Sequence, residues 1–348
     1  FEKYGSGLKV ILKNEETLDA DIVIMSIGVR PDTKLAVQAG LKTGEAKGIW
    51  VNEYLQTSDP DIYAVGDAIE FANPITRQSM NTYLAGPANK QGRMAANNIA
   101  LGNVQKYQGA INTAIVKVFD MTVATAGTAA KNLLKAQIPH LVSTTSSGSH
   151  AGYYPGARQM TIQLAFSPES GRLLGAQIAG FEGVDKRIDI LSSVIQRSSN
   201  IDELTTFEHA YAPPYSSAKD PVNMAGFAAE NILLKQARVF YWNDVAALSD
   251  YNVLLDVRTP EEFEKGHIPN AQNIPLDELR ERLLEIDTSQ HIYLYCKTGM
   301  RSYLAQRILR QHGFESLSNL SGGYELWNNC ATEMALLVKN EMERAELV

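Results

Sequence analysis

Cys296-Lys297-Thr298-Gly299-Met300-Arg301-Ser302 decides the reading of the C-terminal part of this chain. Before it, residues 291–295 form an apolar run around Ile292 and Leu294. After it, Leu304, Ile308 and Leu309 recur at helical spacing. The pattern predicts a buried strand, a short loop and a helix, with Cys296 at the strand exit. A helix N-terminus presents unpaired N–H groups and partial positive charge. Gly299 lets the loop bend so that further amides face inward, and Arg301 adds a cation. Each effect favours thiolate over thiol, and the thiolate is the nucleophile. The same cradle suits the outer sulfur of a persulfide. Packing as a small core residue is the bland alternative for a free cysteine.

The loop resembles the active-site loop of rhodanese sulfurtransferases, C-x-x-G-x-R-S, at every fixed position. Asp256, Val257 and Arg258, then Glu262 and Phe263, Gly266 to Ala271 and Asn273 to Pro275 resemble the same family's preceding signature, with Asn270 where glycine is commoner. Gly322, Gly323 and Trp327 are similar to its closing G-G-x-x-x-W. Three motifs in order imply a rhodanese-like α/β domain over 237–330, with Cys296 as sulfur carrier and Arg301 as its stabilising cation.

The chain has 348 residues and a formal charge of −7, which suggests two or three domains and argues against a nucleic-acid surface. No apolar run is long enough to span a bilayer. Cys296 and Cys330 are the two cysteines, too few for a disulfide framework, so a reducing cytoplasm is the expected compartment. The chain opens at Phe1 with no methionine or leader and runs directly into strand-like alternation at 8–12. The expectation is a longer protein whose N-terminal part is missing.

Residues 22–27 are nearly all apolar and predict a parallel strand buried on both faces, ending at Gly28 and Pro31. Asp67 follows the apolar run before Gly66 and is expected as an exposed carboxylate at a strand's C-terminal end, where open α/β sheets bind ligands. A helix at 89–101 opens after Leu84, Ala85 and Pro87. Thr57, Ala64, Gly66 and Asp67 resemble the second flavin motif of the two-dinucleotide-binding-domain flavoproteins, T-x-x-x-x-x-x-A-x-G-D. Ser26, Gly28 and Pro31 resemble that superfamily's A-T-G-x-x-P turn. The resemblance implies that Gly66 and Asp67 bind the FAD ribityl chain, that Gly28 lies near the cofactor cleft, and that Leu84 and Ala85 offer backbone contacts to the flavin. Neither dinucleotide fingerprint occurs in the chain, so weak flavin binding by these residues alone is expected.

Residues 106–235 predict strands at 114–119, 121–126, 140–144, 160–165 and 173–178 and helices at 128–136, 184–197 and 224–234, an α+β arrangement. Lys186 and Arg187 are expected on an exposed charged face. Tyr153 and Tyr211 lie in turn-rich loops beside Pro155 and Pro213. Those loops, Y-Y-P-G and A-Y-A-P-P-Y-S, resemble coenzyme A-disulfide reductase; related disulfide reductases carry a histidine–glutamate pair there. The resemblance implies a dimerisation domain in a homodimer and two tyrosines that donate to a developing thiolate. A phenol stays protonated at neutral pH.

The expected fold is an α/β and α+β multidomain chain. It comprises a partial two-dinucleotide-binding-domain flavoprotein over 1–105, a dimerisation domain over 106–235, a rhodanese domain over 237–330 and a helical tail over 331–348. Met334, Val338, Met342 and Ala345 are spaced to dock that tail. No Gly/Ser-rich linker separates the domains, so packed domains are expected. The implied function is FAD-dependent, NAD(P)H-driven reduction of coenzyme A disulfide, persulfide or polysulfide, joined to sulfane-sulfur transfer at Cys296. Coenzyme A would be substrate or bound ligand, and the partners low-molecular-weight thiols, disulfides or persulfides. A sulfurtransferase on a non-catalytic flavoprotein-like scaffold, or a persulfide carrier, is the alternative. No metal site is expected.

Overall fold

Residues 292–295 form the strand that the apolar run predicts, Ile292–Tyr295, at the centre of a five-stranded sheet. The structure is a computed structural model describing residues 1–249 and 251–346, with side chains described up to 337. It divides into two units, 1–71 with 79–107 and 72–78 with 108–348.

The first unit opens with an antiparallel ribbon, Glu2–Tyr4, Gly7–Ile11 and Thr17–Ala20, in which Leu8 stands opposite Ala20. Residues 22–27 do not form the expected strand. No strand among the described residues pairs with them, and apart from half-buried Val23 the side chains stay exposed, Ile24 at 87 %. A parallel strand needs neighbours on both edges and cover on both faces, and the apolar composition alone supplies neither. The run before Asp67 also forms no strand. An isolated bridge joins Gln56 and Tyr63, and Asp67 lies in the 3₁₀ turn Gly66–Ala68. The following helix, Ala85–Leu101, begins four residues before the expected start and closes on Gly102 in the left-handed region. Asn98 holds its C-terminal end, donating to the Tyr54 and Gln105 carbonyls and accepting the Gln105 N–H.

The second unit contains two sheets. The first is wholly antiparallel in the order Ala114–Val118, Met121–Gly127, Leu173–Gly180, Gln159–Phe166, Leu141–Gly148, so all five predicted strands form. Helices Val184–Gln196 and Pro221–Leu233 cover it, and Ile162, Leu164, Ile178, Ile188, Leu191 and Val222 share the core. The second sheet is wholly parallel in the order Val239–Phe240, Leu317–Leu320, Ile292–Tyr295, Val253–Asp256, Gln272–Asn273. Its three central strands are almost wholly buried, as expected of a parallel sheet covered on both faces, and Ser318, Asn319 and Asp256 are the polar residues among them. Asn270 has φ +65°, which accounts for the commoner glycine at that position.

The two sheets of this unit are packed together, as the absent linker predicts. Tyr241 donates its hydroxyl to the Val142 carbonyl at 3.2 Å, and the Thr144 N–H donates to Ser321 Oγ at 2.9 Å. Arg307 and Arg310 reach the Gln236 and Lys235 carbonyls.

One further expectation fails here. Arg187 is not on an exposed face; it is 1 % exposed, in register with Val184, Ile188 and Leu191. The tail continues a single helix, Gly323–Glu346, which packs through Tyr324 and Trp327 and on which Met334 is half exposed. Val338, Met342 and Ala345, the other residues expected to dock it, lie outside the described side chains.

Candidate functional site

Cys296 is the first residue beyond the buried strand and is 1 % exposed. Gly299, with φ +106°, turns the chain and caps the helix Met300–Gln311 without a side-chain cap bond. The Gly299 N–H donates to Cys296 Sγ at 3.2 Å, and the Ser302 hydroxyl lies 3.4 Å from the same sulfur. The loop's carbonyls are taken up elsewhere. Tyr324 and Glu325 donate their N–H groups to the Cys296 and Lys297 carbonyls at 2.8 and 3.0 Å, and Asn319 Nδ2 donates to that of Gly299 at 3.1 Å. This packing requires Gly323, whose φ is +68° and whose Cα faces the loop so closely that a Cβ would lie 2.7 Å from the Cys296 oxygen.

Arg301 does not stand as a lone cation. It grips Glu262 in a bidentate pair at 2.6 and 2.7 Å. That pairing takes the Glu262 carboxyl down to about 2. Arg301 is held protonated above its ordinary value first by Glu262 and, more weakly, by Cys296. Glu262 is itself placed by a capping box with Thr259 at the start of Pro260–Glu264. Behind the loop, Arg258 pairs with buried Asp256 at 2.6 Å and stacks over Tyr324 at 4.0 Å. Ser302 and Glu262 were visible as letters of the matched motifs, but their contacts with Sγ and Arg301 follow from the fold.

Tyr153 and Tyr211, 58 residues apart, meet with their hydroxyl oxygens 3.2 Å apart. They are 77 % and 48 % exposed. The bond to Tyr211 raises the Tyr153 phenol above its ordinary value. No hydrogen bond among the described residues joins this pair to Cys296.

In the first unit, the turn of Gly66 and Asp67 meets the helix Ala85–Leu101, whose N-cap is Leu84. Gly66, at φ +80°, donates its N–H to buried Gln91 Oε1 at 2.7 Å, and a Cβ on it would lie 3.8 Å from Ala88. Asp67 is exposed, and the helix N-terminus has no side-chain cap. An open carboxylate beside an uncapped helix end, at a turn that admits close approach, fits the polyol chain of a flavin dinucleotide. Gly28 has φ +86° and is exposed, and no hydrogen bond among the described residues joins it to this turn.

Comparison with known proteins gives three family matches. The pyridine nucleotide-disulphide oxidoreductase family matches residues 1–97, its dimerisation domain residues 113–221, and the rhodanese-like domain residues 243–330. The crystal structure of reduced Bacillus anthracis CoADR-RHD is 44 % identical with a TM-score of 0.90, covering 93 % of this chain and 58 % of that one. The NAD-dependent persulfide reductase from A. fulgidus is 38 % identical with a TM-score of 0.83, over 92 % and 58 % of the two chains. Coenzyme A disulfide reductase of Staphylococcus haemolyticus is 36 % identical over 214 residues, 62 % of this chain and 48 % of that one. The chain spans about half the length of the curated relatives it matches. It belongs, by these matches and by the parallel sheet that ends in the Cys296 loop, with the pyridine nucleotide-disulphide oxidoreductases homologous to coenzyme A disulfide reductase that carry a rhodanese domain.

Proposed function

We propose that the chain belongs to a homodimeric, NAD(P)H-dependent reductase of coenzyme A disulfide, persulfide or polysulfide, whose rhodanese domain transfers sulfane sulfur through Cys296. The observation that carries the transfer reading is the loop itself, a buried sulfur receiving the Gly299 amide and flanked by Ser302 and Arg301. Cys296 as thiolate attacks the outer sulfur of a persulfide R–S–SH. A sulfur–sulfur bond forms at Cys296, the donor's own sulfur–sulfur bond breaks, and R–S⁻ leaves. The products are Cys–S–SH and the donor thiolate. The Gly299 amide and the Ser302 hydroxyl then face the bound sulfur, and Arg301 balances its charge on ionisation.

For the reductive half, Gly66, Asp67, Leu84, Ala85 and Gly28 are the residues that would hold FAD. When bound, FAD supplies two-electron exchange between nicotinamide and a sulfur–sulfur bond. The protein's own part is the tyrosine pair. Cleaving a disulfide or persulfide generates a thiolate, and a neutral phenol placed against it donates a hydrogen bond without changing charge. The homodimer reading is supported by the match to the dimerisation domain.

Intact mass after incubation with a sulfane-sulfur donor tests the transfer reading. One added sulfur on the parent and none on Cys296→Ser is expected; loading or full transferase activity in Cys296→Ser refutes it. Tyr153→Phe with Tyr211→Phe is expected to slow substrate reduction in the full-length enzyme on the order of 10²-fold. An unchanged rate would make both tyrosines packing residues.

A further inference from the structure

Tyr153 and Tyr211 are exposed, and among the described residues the hydrogen bond recorded at each hydroxyl is the one to the other. No other hydrogen-bond partner among the described residues sets the separation of the two hydroxyls, and the two loops that carry them place them. Both loops converge at their bases on one buried ion pair. Arg187 from the helix Val184–Gln196 and Asp220 at the N-cap of Pro221–Leu233 are 1 % and 0 % exposed. Arg187 Nε and Nη2 donate to the Asp220 carboxylate at 2.8–3.3 Å.

Each partner also reaches a tyrosine loop. Arg187 Nη2 donates to the Ser149 carbonyl at 2.9 Å, four residues before Tyr153. Asp220 Oδ2 accepts the Ser216 hydroxyl at 2.6 Å, five residues after Tyr211. The loops are stitched directly as well, since the Ala151 N–H donates to the Ser216 carbonyl at 2.9 Å. The Tyr153 loop is closed on itself, because Ser149 and Arg158 exchange an N–H to carbonyl bond at 2.8 Å and an N–H to hydroxyl bond at 3.1 Å.

We infer that the Arg187–Asp220 pair is a positioning device that clamps the bases of the two loops and thereby sets the Tyr153–Tyr211 geometry. This rests on the reading of the tyrosines as thiolate-facing donors. A buried ion pair is a weak stabiliser compared with well-packed apolar residues, and what it can supply instead is fixed geometry. Here it joins the bases of two loops that a backbone bond, from the Ala151 N–H to the Ser216 carbonyl, also links. Burial by itself would raise the Asp220 carboxyl, but the bonds from Arg187 and Ser216 outweigh it and hold the group below its ordinary value, in the form that grips both loops.

The test uses protein labelled with [¹³Cζ]tyrosine, with Tyr153→Phe and Tyr211→Phe spectra for assignment. The variants are Arg187→Met with Asp220→Leu, an apolar replacement of the pair, and Ser216→Ala, which keeps the pair and cuts one loop from it. In the parent, Tyr211→Phe is expected to lower the titration of Tyr153. In both clamp variants that effect is expected to shrink by at least half while the melting profile stays cooperative. Substrate reduction in the FAD-loaded enzyme is expected to fall on the order of 10-fold or more. Clamp variants that fold and keep the parent's effect of Tyr211→Phe on Tyr153 overturn the inference; if the double variant does not fold, Ser216→Ala decides. An activity unchanged in Tyr153→Phe itself refutes the donor reading of the tyrosines, and the titrations still decide the clamp.

Discussion

Gly323→Ala is the sharpest probe of the Cys296 loop, because Gly313→Ala is a matched control in the same domain. Both glycines have positive φ, +68° and +89°. At Gly313 a Cβ would meet nothing within 4 Å, so its substitution costs backbone strain alone, about 1–2 kcal/mol. At Gly323 the Cβ would lie 2.6 and 2.7 Å from the Lys297 and Cys296 carbonyl oxygens, which are backbone and cannot rotate away. The helix start must withdraw, and the Tyr324 and Glu325 N–H bonds to those oxygens are lost. At roughly 1 kcal/mol each they bring the total to about 3–4 kcal/mol. Urea unfolding followed by Trp242 and Trp327 emission in a Trp50→Phe background isolates this domain. Gly323→Ala is expected to exceed Gly313→Ala by about 2 kcal/mol and to lose sulfur loading at Cys296, which Gly313→Ala keeps. Equal losses of stability, or normal loading in Gly323→Ala, would show that the close approach does not hold the loop.

The Glu262–Arg301 pair makes stability depend on acid. The folded carboxyl titrates at about 2, below its ordinary value of 4.5, so its contribution is full above 4.5 and is lost as pH falls towards 2. Both partners are about a third exposed, so the contribution is about 1 kcal/mol after screening. Parent minus Glu262→Gln stability, from urea midpoints at pH 5 and pH 2, is expected to shrink by that amount. Burial raises the Cys330 thiol, so at neutral pH iodoacetamide is expected to label Cys330 slowly, and Cys330→Ser to leave sulfur loading and stability within about 0.5 kcal/mol of the parent, by intact mass and thermal melts. Tyr241→Phe leaves the Val142 carbonyl without its donor and is expected to cost about 1–2 kcal/mol. Limited proteolysis near 236 is expected to accelerate with it.

Local chemistry made most of the second unit legible. All five strands of the antiparallel sheet and the strand–loop–helix around Cys296 follow from alternation, apolar runs and helical spacing, which depend on neighbours a few residues away. The same holds for the residue types of the Cys296 loop, since Cys296, Gly299, Arg301 and Ser302 are close in the chain. Three features needed tertiary structure, for one physical reason: each turns on whether residues far apart in sequence pair. Residues 22–27 carry the composition of a buried strand, yet a strand exists only where another strand bonds to it, and none among the described residues does. Arg187 reads as a surface charge from its helix, and only the approach of Asp220, 33 residues on, makes its burial tolerable. Tyr153 and Tyr211 each read as a loop tyrosine beside prolines; the 3.2 Å between their hydroxyls is set by two loops that the antiparallel sheet and its covering helices bring together.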